Sequence, residues 1–359
     1  VPLFGAANAR AGAQRLDLSI AGRYEQYSDF GNTFNPKVGL VWSPLAGFKV
    51  QGSWGKSFRA PALAETDPKS SGYGLYGDTL PCLNSAGATI NCIGIGIAGG
   101  NPDLRPEKAT TWSVGLEFAP EALGAFRASA TYFHIDYTDQ IVGLRGTPGL
   151  LTNPLYASFA TLNPSLAQIN DLLSKGLPIN SPINAATVTY IQDGRRQNLG
   201  GTFARGYDFD LSDSWDTGVG KLRAAINGTY FTSLTTNITA AAPQTDVLGL
   251  IGYPQRFRGR GELGLRKGLF NGAVYFNYVS AYNQTPTVRI AAYKTVDLHA
   301  GFDLGGKATT GLLSGMSLSL DVQNVANTDP PFVNLAGGYD PQSASPIGRL
   351  AAVSLRKNW

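Results

Sequence analysis

Few residues in this chain are placed to do chemistry. His134 and His299 are its two histidines. They lie far apart, each in an extended segment, and neither has a metal-ligand neighbour at useful spacing. Neither a GxSxG elbow nor an HExxH helix is present. The stretch Gly301-Phe302-Asp303-Leu304-Gly305-Gly306-Lys307-Ala308 approaches a phosphate loop, but Ala308 stands where Ser or Thr is needed and no helix follows. A strand running into a turn accounts for it better. Asp208, Asp210, Glu262, Asp297 and Asp321 sit on polar strand faces. A glycosidase pair could be drawn from them, yet a hydrated lumen calls for the same residues. The oxygen-rich run from Asn324 to Asp329 could hold Ca²⁺, and an ordinary turn uses the same side chains. The expectation is a protein that is not an enzyme and holds no cofactor or metal.

Cys82 and Cys92 are the two cysteines, set in a Gly/Asn/Ser-rich stretch that reads as a loop. Two such cysteines close in sequence suggest a loop disulfide formed in an oxidising compartment, with two free thiols as the alternative.

Composition points the same way. Charged residues make up 15% of the 359 residues, and glycines number 44. Ordinary globular proteins carry about 25% charged residues and about 7% glycine. Aromatics are plentiful, with 16 Tyr, 17 Phe and 5 Trp. Few charges, many glycines and many aromatics suit a sheet that meets lipid on one side. The net charge of +4 is not gathered into basic runs, so nucleic acid is not an expected partner. No apolar run reaches the roughly eighteen residues that a spanning helix needs. The first residues, Val1-Pro2-Leu3-Phe4-Gly5, lack the layout of a signal peptide. An exported protein should carry one, so the chain is expected to begin within a longer protein.

The strongest pattern is alternation with period two. Met316, Leu318, Leu320 and Val322 share one face, and Ser317, Ser319, Asp321 and Gln323 the other. Val296, Leu298, Ala300 and Phe302 alternate with Asp297, His299, Gly301 and Asp303. Trp112, Val114, Leu116 and Phe118 alternate with Ser113, Gly115 and Glu117. Successive side chains of a strand point to opposite faces, so each segment has a greasy and a wet side. About twelve strands are predicted, over 16–29, 34–43, 47–59, 108–119, 126–142, 198–213, 220–237, 255–267, 271–283, 293–304, 315–326 and 347–359. The facing of 126–142 and 271–283 stays open, because both faces are apolar in places. One short helix is expected from Asn163 to Gly176, with Asn163 as its cap.

The connections alternate in length. Short ones such as Ser43–Gly47 and Ala119–Ala125 separate long ones near 60–107, 143–197, 238–254, 284–292 and 327–346. Short turns at one end and long loops at the other are the pattern of outer-membrane barrels. In hydrocarbon every backbone group must be paired internally, so a sheet there must close. The segment Arg256–Lys267 fits lipid on one side. Arg256, Arg258, Arg260 and Glu262 share one face, and Phe257, Gly259, Gly261, Leu263 and Leu265 the other. The predicted fold is an all-β, transmembrane, antiparallel up-and-down barrel wall, with 1–359 as one unit.

The C-terminal run, with Leu355 alternating toward a terminal Trp359, resembles the signal by which bacterial outer-membrane proteins reach the barrel-assembly machinery. Several stretches resemble TonB-dependent receptors. Trp54-Gly55-Lys56-Ser57-Phe58-Arg59-Ala60-Pro61 looks like the family's mid-barrel strand running into a long external loop. Asn101-Pro102-Asp103-Leu104-Arg105-Pro106-Glu107-Lys108 looks like its "NPxLxPE" return. Asp321-Val322-Gln323-Asn324-Val325-Ala326-Asn327 and Gly348-Arg349 are similar to the penultimate strand's exit and the entry to the last strand. The motif residues are thus Arg59, Pro61, Asn101, Pro102, Leu104, Pro106 and Glu107.

The resemblance implies a 22-stranded barrel with an N-terminal plug, of which this chain would be the last twelve or so strands. Neither a plug nor a TonB-engaging box is visible in it, so a fragment or one piece of a split receptor is expected. The implied function is energised import of a scarce nutrient across the outer membrane of a Gram-negative bacterium, the cargo being a siderophore-iron chelate, a vitamin, or a glycan or peptide. Implied partners are TonB through the missing N-terminal region, outer-membrane lipid, the assembly machinery and the nutrient. An autotransporter translocator and a passive porin are the alternatives. In the family, external loops help to form the substrate site, which makes Tyr73, Tyr76, Tyr156, Tyr253, Tyr282 and Tyr339 candidates. Equally, these tyrosines could belong to the aromatic girdle at the membrane interface.

Overall fold

The computed structural model describes every residue except 1, 6, 7, 29, 71, 146, 148, 306–310, 312 and 359. Its main body is a 14-stranded antiparallel sheet in which strands adjacent along the wall are neighbours in sequence order. The path runs Pro2–Phe4, Arg15–Tyr27, Gly31–Leu45, Phe48–Arg59, Glu107–Phe118, Arg127–Gly143, Arg196–Thr217, Gly220–Asn237, Phe257–Lys267, Phe270–Val279, Tyr293–Asp303, Met316–Gln323 and Leu350–Lys357. Thr245–Asp246 pairs off this path onto Gly220–Asn237. Every strand predicted from alternation is present. Among the described residues the first and last strands of the path do not pair with each other.

Strand register turns the separate alternations into two continuous faces. On one, Val114, Tyr132, Tyr207, Tyr230 and Phe257 stand in a row across five strands. Nearer the short turns, Phe270, Phe302, Leu318 and Leu355 form another such row. Phe48 and Phe118 pair at the same end. Between these two levels, Asp213 and Lys294 are the charged residues at apolar-face positions among the described wall residues, Lys294 lying opposite Tyr278. Phe302 is 50% and Leu318 39% exposed, so neither is tucked into a protein interior. The register also settles the two ambiguous segments. Tyr132 lies on the apolar face opposite Val114, and Phe276 opposite Gly261.

The other face is mainly polar, with Phe133, Ile135 and Phe231 as apolar positions near its loop end. One row reads Ser129, Asp210, Asn227, Arg260, Asn277 and Thr295. Charges there are matched locally: Arg223 pairs with Glu262 at 3.3 Å, and Asn277 donates to Asp297 at 2.8 Å.

The long connections differ from the sequence expectation. Segments 60–107 and 143–197 are not irregular loops. They build a second, four-stranded sheet in the order Gly74–Leu83, Thr89–Ala98, Tyr190–Asp193, Ala160–Leu162. Tyr190–Asp193 pairs parallel with Thr89–Ala98 across about a hundred residues of chain. One side of this sheet packs Leu80, Leu144, Leu150, Tyr156 and Tyr190 against Leu199 of the wall. The other side buries Leu75 and Ile95 against Ile169 and Leu172. Those last two lie on the predicted helix, which spans Leu166–Ser174. Its cap is Ser165, not Asn163. The Ser165 hydroxyl accepts from Gln168 N–H, and the Gln168 side chain accepts from Ser165 N–H. A capping box outcompetes the simpler cap, and Asn163 instead turns the chain at φ 48°.

Candidate functional site

The motif residues meet at the loop end of the polar face. Arg59 and Glu107 face each other on paired strands. The Arg59 guanidinium donates to Glu107 from Nε and Nη2, the latter at 2.8 Å. Glu107 is 4% exposed. It also accepts from the Tyr137 hydroxyl and from Ile141 N–H at 2.7 Å. Arg59 reaches on to Glu65 at 3.0 Å, and Glu65 caps Ala62 N–H at 2.8 Å. Burial works against the Glu65 carboxylate, yet the Arg59 hydrogen bond, Ala62 N–H and Arg196 hold its pKa below the usual value. Asn101 donates to the Arg196 carbonyl at 2.9 Å and accepts from Asp103 N–H. Leu104 and Pro106 are buried, whereas Pro102 is exposed. Pro61 is buried where the strand leaves the wall. These residues therefore fasten the loop sheet to the wall; they do not form a reactive centre.

Cys82 and Cys92 are joined, with Cα atoms 5.8 Å apart, and close the hairpin Gly74–Leu83/Thr89–Ala98. The six candidate tyrosines divide between two places. Tyr76 lies on the loop sheet, with Tyr73 just before its first strand and Tyr156 on a short helix packed against it, and Tyr253, Tyr282 and Tyr339 lie in the later loops. Tyr76 carries the Arg145 guanidinium 3.7 Å above its ring. Tyr73 is half-buried and accepts from Asn180 through its carbonyl. Tyr156 and Tyr282 are buried, at 7% and 5% exposure, and serve as packing residues of the loops. Tyr339 is half-buried beside Gly337. None of the six stands in the girdle rows; Tyr132, Tyr207 and Tyr230 do. Leu355 lies on the apolar face, and Trp359 falls outside the described residues.

Tyr253 borders an opening on the polar face, a cavity of about 1100 Å³ between the wall and the later loops. Arg258, Arg260, Asn277, Gln255 and Ser343 also line it. Arg260 lies 4.1 Å over the Tyr275 ring and 3.9 Å from Asp297. Arg258 is exposed and has no carboxylate partner among the described residues. Gln255 donates to Ser343 Oγ at 2.5 Å, and Ser343 donates to the buried Asp340 at 2.6 Å. Tyr282 joins this network, and burial pushes its phenol up to about 12. Sequence reading missed Gln255, Ser343 and Asp340. No local pattern marks them, since Gln255 and Ser343 lie 88 residues apart.

The other candidates resolve as ordinary structure. His299 bridges Asp321 at 2.7 Å and Asn271 at 2.9 Å on the polar face. His134 stacks on Trp112 and binds Asp136. Asn324 is a turn residue; its side chain accepts from Thr328 N–H and donates to the Thr328 carbonyl, both at 2.9 Å. Gly301–Asp303 ends a wall strand, while Lys307 and Ala308 lie outside the described residues. Among the described residues no group of three or more His, Cys, Asp or Glu is arranged to hold a metal.

Known proteins bear on this arrangement directly. The family described as "TonB dependent receptor-like, beta-barrel" matches residues 2–325. The iron-regulated outer membrane virulence protein of Vibrio cholerae serotype O1 is 30% identical over 129 residues, 36% of this chain and 17% of that protein. The probable TonB-dependent siderophore receptor PirA of Acinetobacter baumannii is 23% identical over 221 residues, 56% of this chain and 28% of the receptor. The crystal structure of the A. baumannii siderophore receptor PirA superposes with a TM-score of 0.61 at 16% identity, covering 95% of this chain and 43% of that one. A ferric enterobactin receptor mutant from Pseudomonas aeruginosa, solved with enterobactin, gives 0.60 at 14% identity, covering 95% and 43%. This chain spans less than half the length of these relatives. It belongs to the TonB-dependent receptors, as part of their outer-membrane β-barrel.

Proposed function

We propose that this chain forms the wall and outer loops of a receptor that imports an iron–siderophore chelate, driven through TonB. The observation that carries the reading is the cavity on the polar face. It opens at the loop end and presents Arg258, which has no carboxylate partner among the described residues, beside Arg260, Asn277 and Tyr253. A ferric chelate is large, often anionic and partly aromatic. Guanidinium groups, an amide and a phenol on a concave wall match that chemistry. The related receptors named for siderophores support the cargo class. The apolar face would meet hydrocarbon, and the polar face would enclose the plug of the complete receptor. Membership of this family sets aside the autotransporter and porin readings.

The test is uptake of radioactive iron by a deletion strain carrying the full-length receptor, supplied with single ferric siderophores under iron limitation. Uptake should need TonB. It should fall at least about tenfold when Arg258→Ala and Arg260→Ala are combined, the scale of losing two charge-assisted contacts. Uptake of a vitamin or oligosaccharide instead, with iron uptake unchanged by the deletion, would reject the siderophore assignment.

A further inference from the structure

The loop sheet holds a polar corner among its apolar contacts with the wall. Two buried glycines of Thr89–Ala98, Gly94 and Gly96, form its floor. Register sets Asp78 opposite Gly94 on one neighbouring strand, and Tyr190 and Gln192 opposite Gly94 and Gly96 on the other. Paired residues share a face, so the three side chains stand on one side of the sheet and flank the glycines. The two flanking strands lie roughly 10 Å apart, and glycines leave the space between them open. The Tyr190 ring covers Gly94. Over Gly96, among the described residues beyond its chain neighbours, only Asp78 comes within 4 Å of where a Cβ would stand, with Oδ2 at 3.4 Å. Asp78 Oδ2, Tyr190 Oη and Gln192 Oε1 are shut off from solvent and lack a hydrogen-bond partner among the described residues. Tyr190 and Gln192 are fully buried. The Gln192 amide donates to the Leu144 carbonyl at 3.3 Å, which leaves Oε1 as its unused acceptor. Asp78 Oδ1 accepts from Thr79 N–H at 3.0 Å. The exposed Arg145 guanidinium rests on the Tyr76 ring and does not donate to Oδ2. Burial, and after it the Asp78 charge, hold the Tyr190 phenol above its ordinary value.

We infer that Asp78, Tyr190 and Gln192 bind a monovalent metal cation of sodium size. The inference concerns the loop sheet alone and does not depend on the imported cargo. All three atoms can act as acceptors, and oxygen is the ligand atom of hard cations. A carboxylate oxygen taken out of water needs a cation or a donor to replace the solvation it has lost. A water molecule would satisfy the hydrogen bonds but leave that charge unbalanced. The three side chains carry a single negative charge, which one monovalent ion cancels. A divalent ion would leave an excess charge buried in the sheet. The ion would also tie Gly74–Leu83 to Tyr190–Asp193, strands that are not neighbours in the sheet.

The test is hydrogen–deuterium exchange of the full-length receptor in detergent. Ionic strength is held constant with sodium chloride or with tetramethylammonium chloride, whose cation is too large to enter. Peptides covering Gly74–Leu83 and Tyr190–Asp193 report the site. At a sodium concentration about ten times its dissociation constant, exchange there should slow about tenfold. The wall strand Phe257–Lys267 should exchange alike in both salts. Asp78→Asn keeps the shape and removes the charge, so it should abolish the sodium effect. Gly96→Ala keeps every ligand and puts a methyl where the ion would sit, so it should abolish the effect as well. In tetramethylammonium both variants should exchange as the parent does, which shows that the sheet still folds; Gly96→Ala decides the matter if Asp78→Asn does not fold. Equal exchange of the parent in the two salts would mean that water alone fills the corner, and would overturn the proposal. A sodium effect retained by Gly96→Ala, or stronger protection by calcium chloride than by sodium chloride at matched ionic strength, would overturn it too.

Discussion

Arg59 and Glu107 stand directly opposite each other on neighbouring strands and form a two-bond fork at the root of the loop sheet. Glu107 serves four donors while almost wholly buried, so its removal strands a guanidinium, a phenol and a backbone N–H at once. Glu107→Ala should cost about 2–4 kcal/mol, and Glu107→Gln less, because the amide oxygen still accepts. The midpoint of heat-modifiable migration of the full-length receptor measures this. In a double-mutant cycle with Arg59→Ala the losses should be sub-additive; simple additivity would show that the pair is not coupled.

The Cys82–Cys92 bond closes a short loop within the loop sheet. Reduction, or Cys82→Ser with Cys92→Ser, should loosen that hairpin by about 2–3 kcal/mol without touching the wall. Limited proteolysis should then cut near Asn84–Ala88, while heat-modifiable migration stays as in the parent. A wall that unfolds together with the hairpin would contradict the separation of the two sheets.

Leu263 is 56% exposed on the apolar face, midway between the aromatic levels, and Thr229 lies on the polar face opposite Arg258. Leu263→Arg should cost about 2–4 kcal/mol if that face meets hydrocarbon, and should sharply lower the amount of folded receptor in the outer membrane. Thr229→Lys, a charge on the wet side, should be tolerated. Equal tolerance of both would refute the assignment of the faces.

Tyr282 titrates near 12, against an ordinary value of 10.0, because burial disfavours its phenolate. The folded state therefore holds this proton more tightly than the unfolded one. The resulting stability is fully present below pH 10 and is lost as the pH climbs toward 12. Protease sensitivity of the loop 327–346 should rise across that window. Tyr282→Phe should remove the Tyr282 share of the slope, visible as one fewer late-titrating phenol in difference absorbance.

The strands and their two faces were legible in the sequence because a strand's periodicity is local. Leu318 and Ser319 point oppositely whatever surrounds them, and a one-residue slip in register would expose the wrong set. Motif residues such as Arg59 and Glu107 were legible as a pattern, but their work was not. That work depends on Tyr137 and Ile141, which the register alone brings beneath the carboxylate. The helix was legible, though its cap was misplaced by two residues, because the reciprocal Ser165–Gln168 bonds outweigh an Asn and Pro at its approach.

By itself, then, the sequence determined the alternating strands, the apolar and polar faces of most of them, and the unequal connections. Only the tertiary structure decided that two long connections share one sheet. It alone drew Gln255, Ser343, Asp340 and Tyr282 into one network and turned Tyr156 and Tyr282 inward. The reason is physical. Alternation follows from backbone geometry within a few residues, whereas the parallel pairing of Tyr190–Asp193 with Thr89–Ala98 joins segments with no local reason to meet. Such contacts form because burying Leu75, Ile95, Tyr190 and Leu199 together removes more apolar surface from water than either loop could alone.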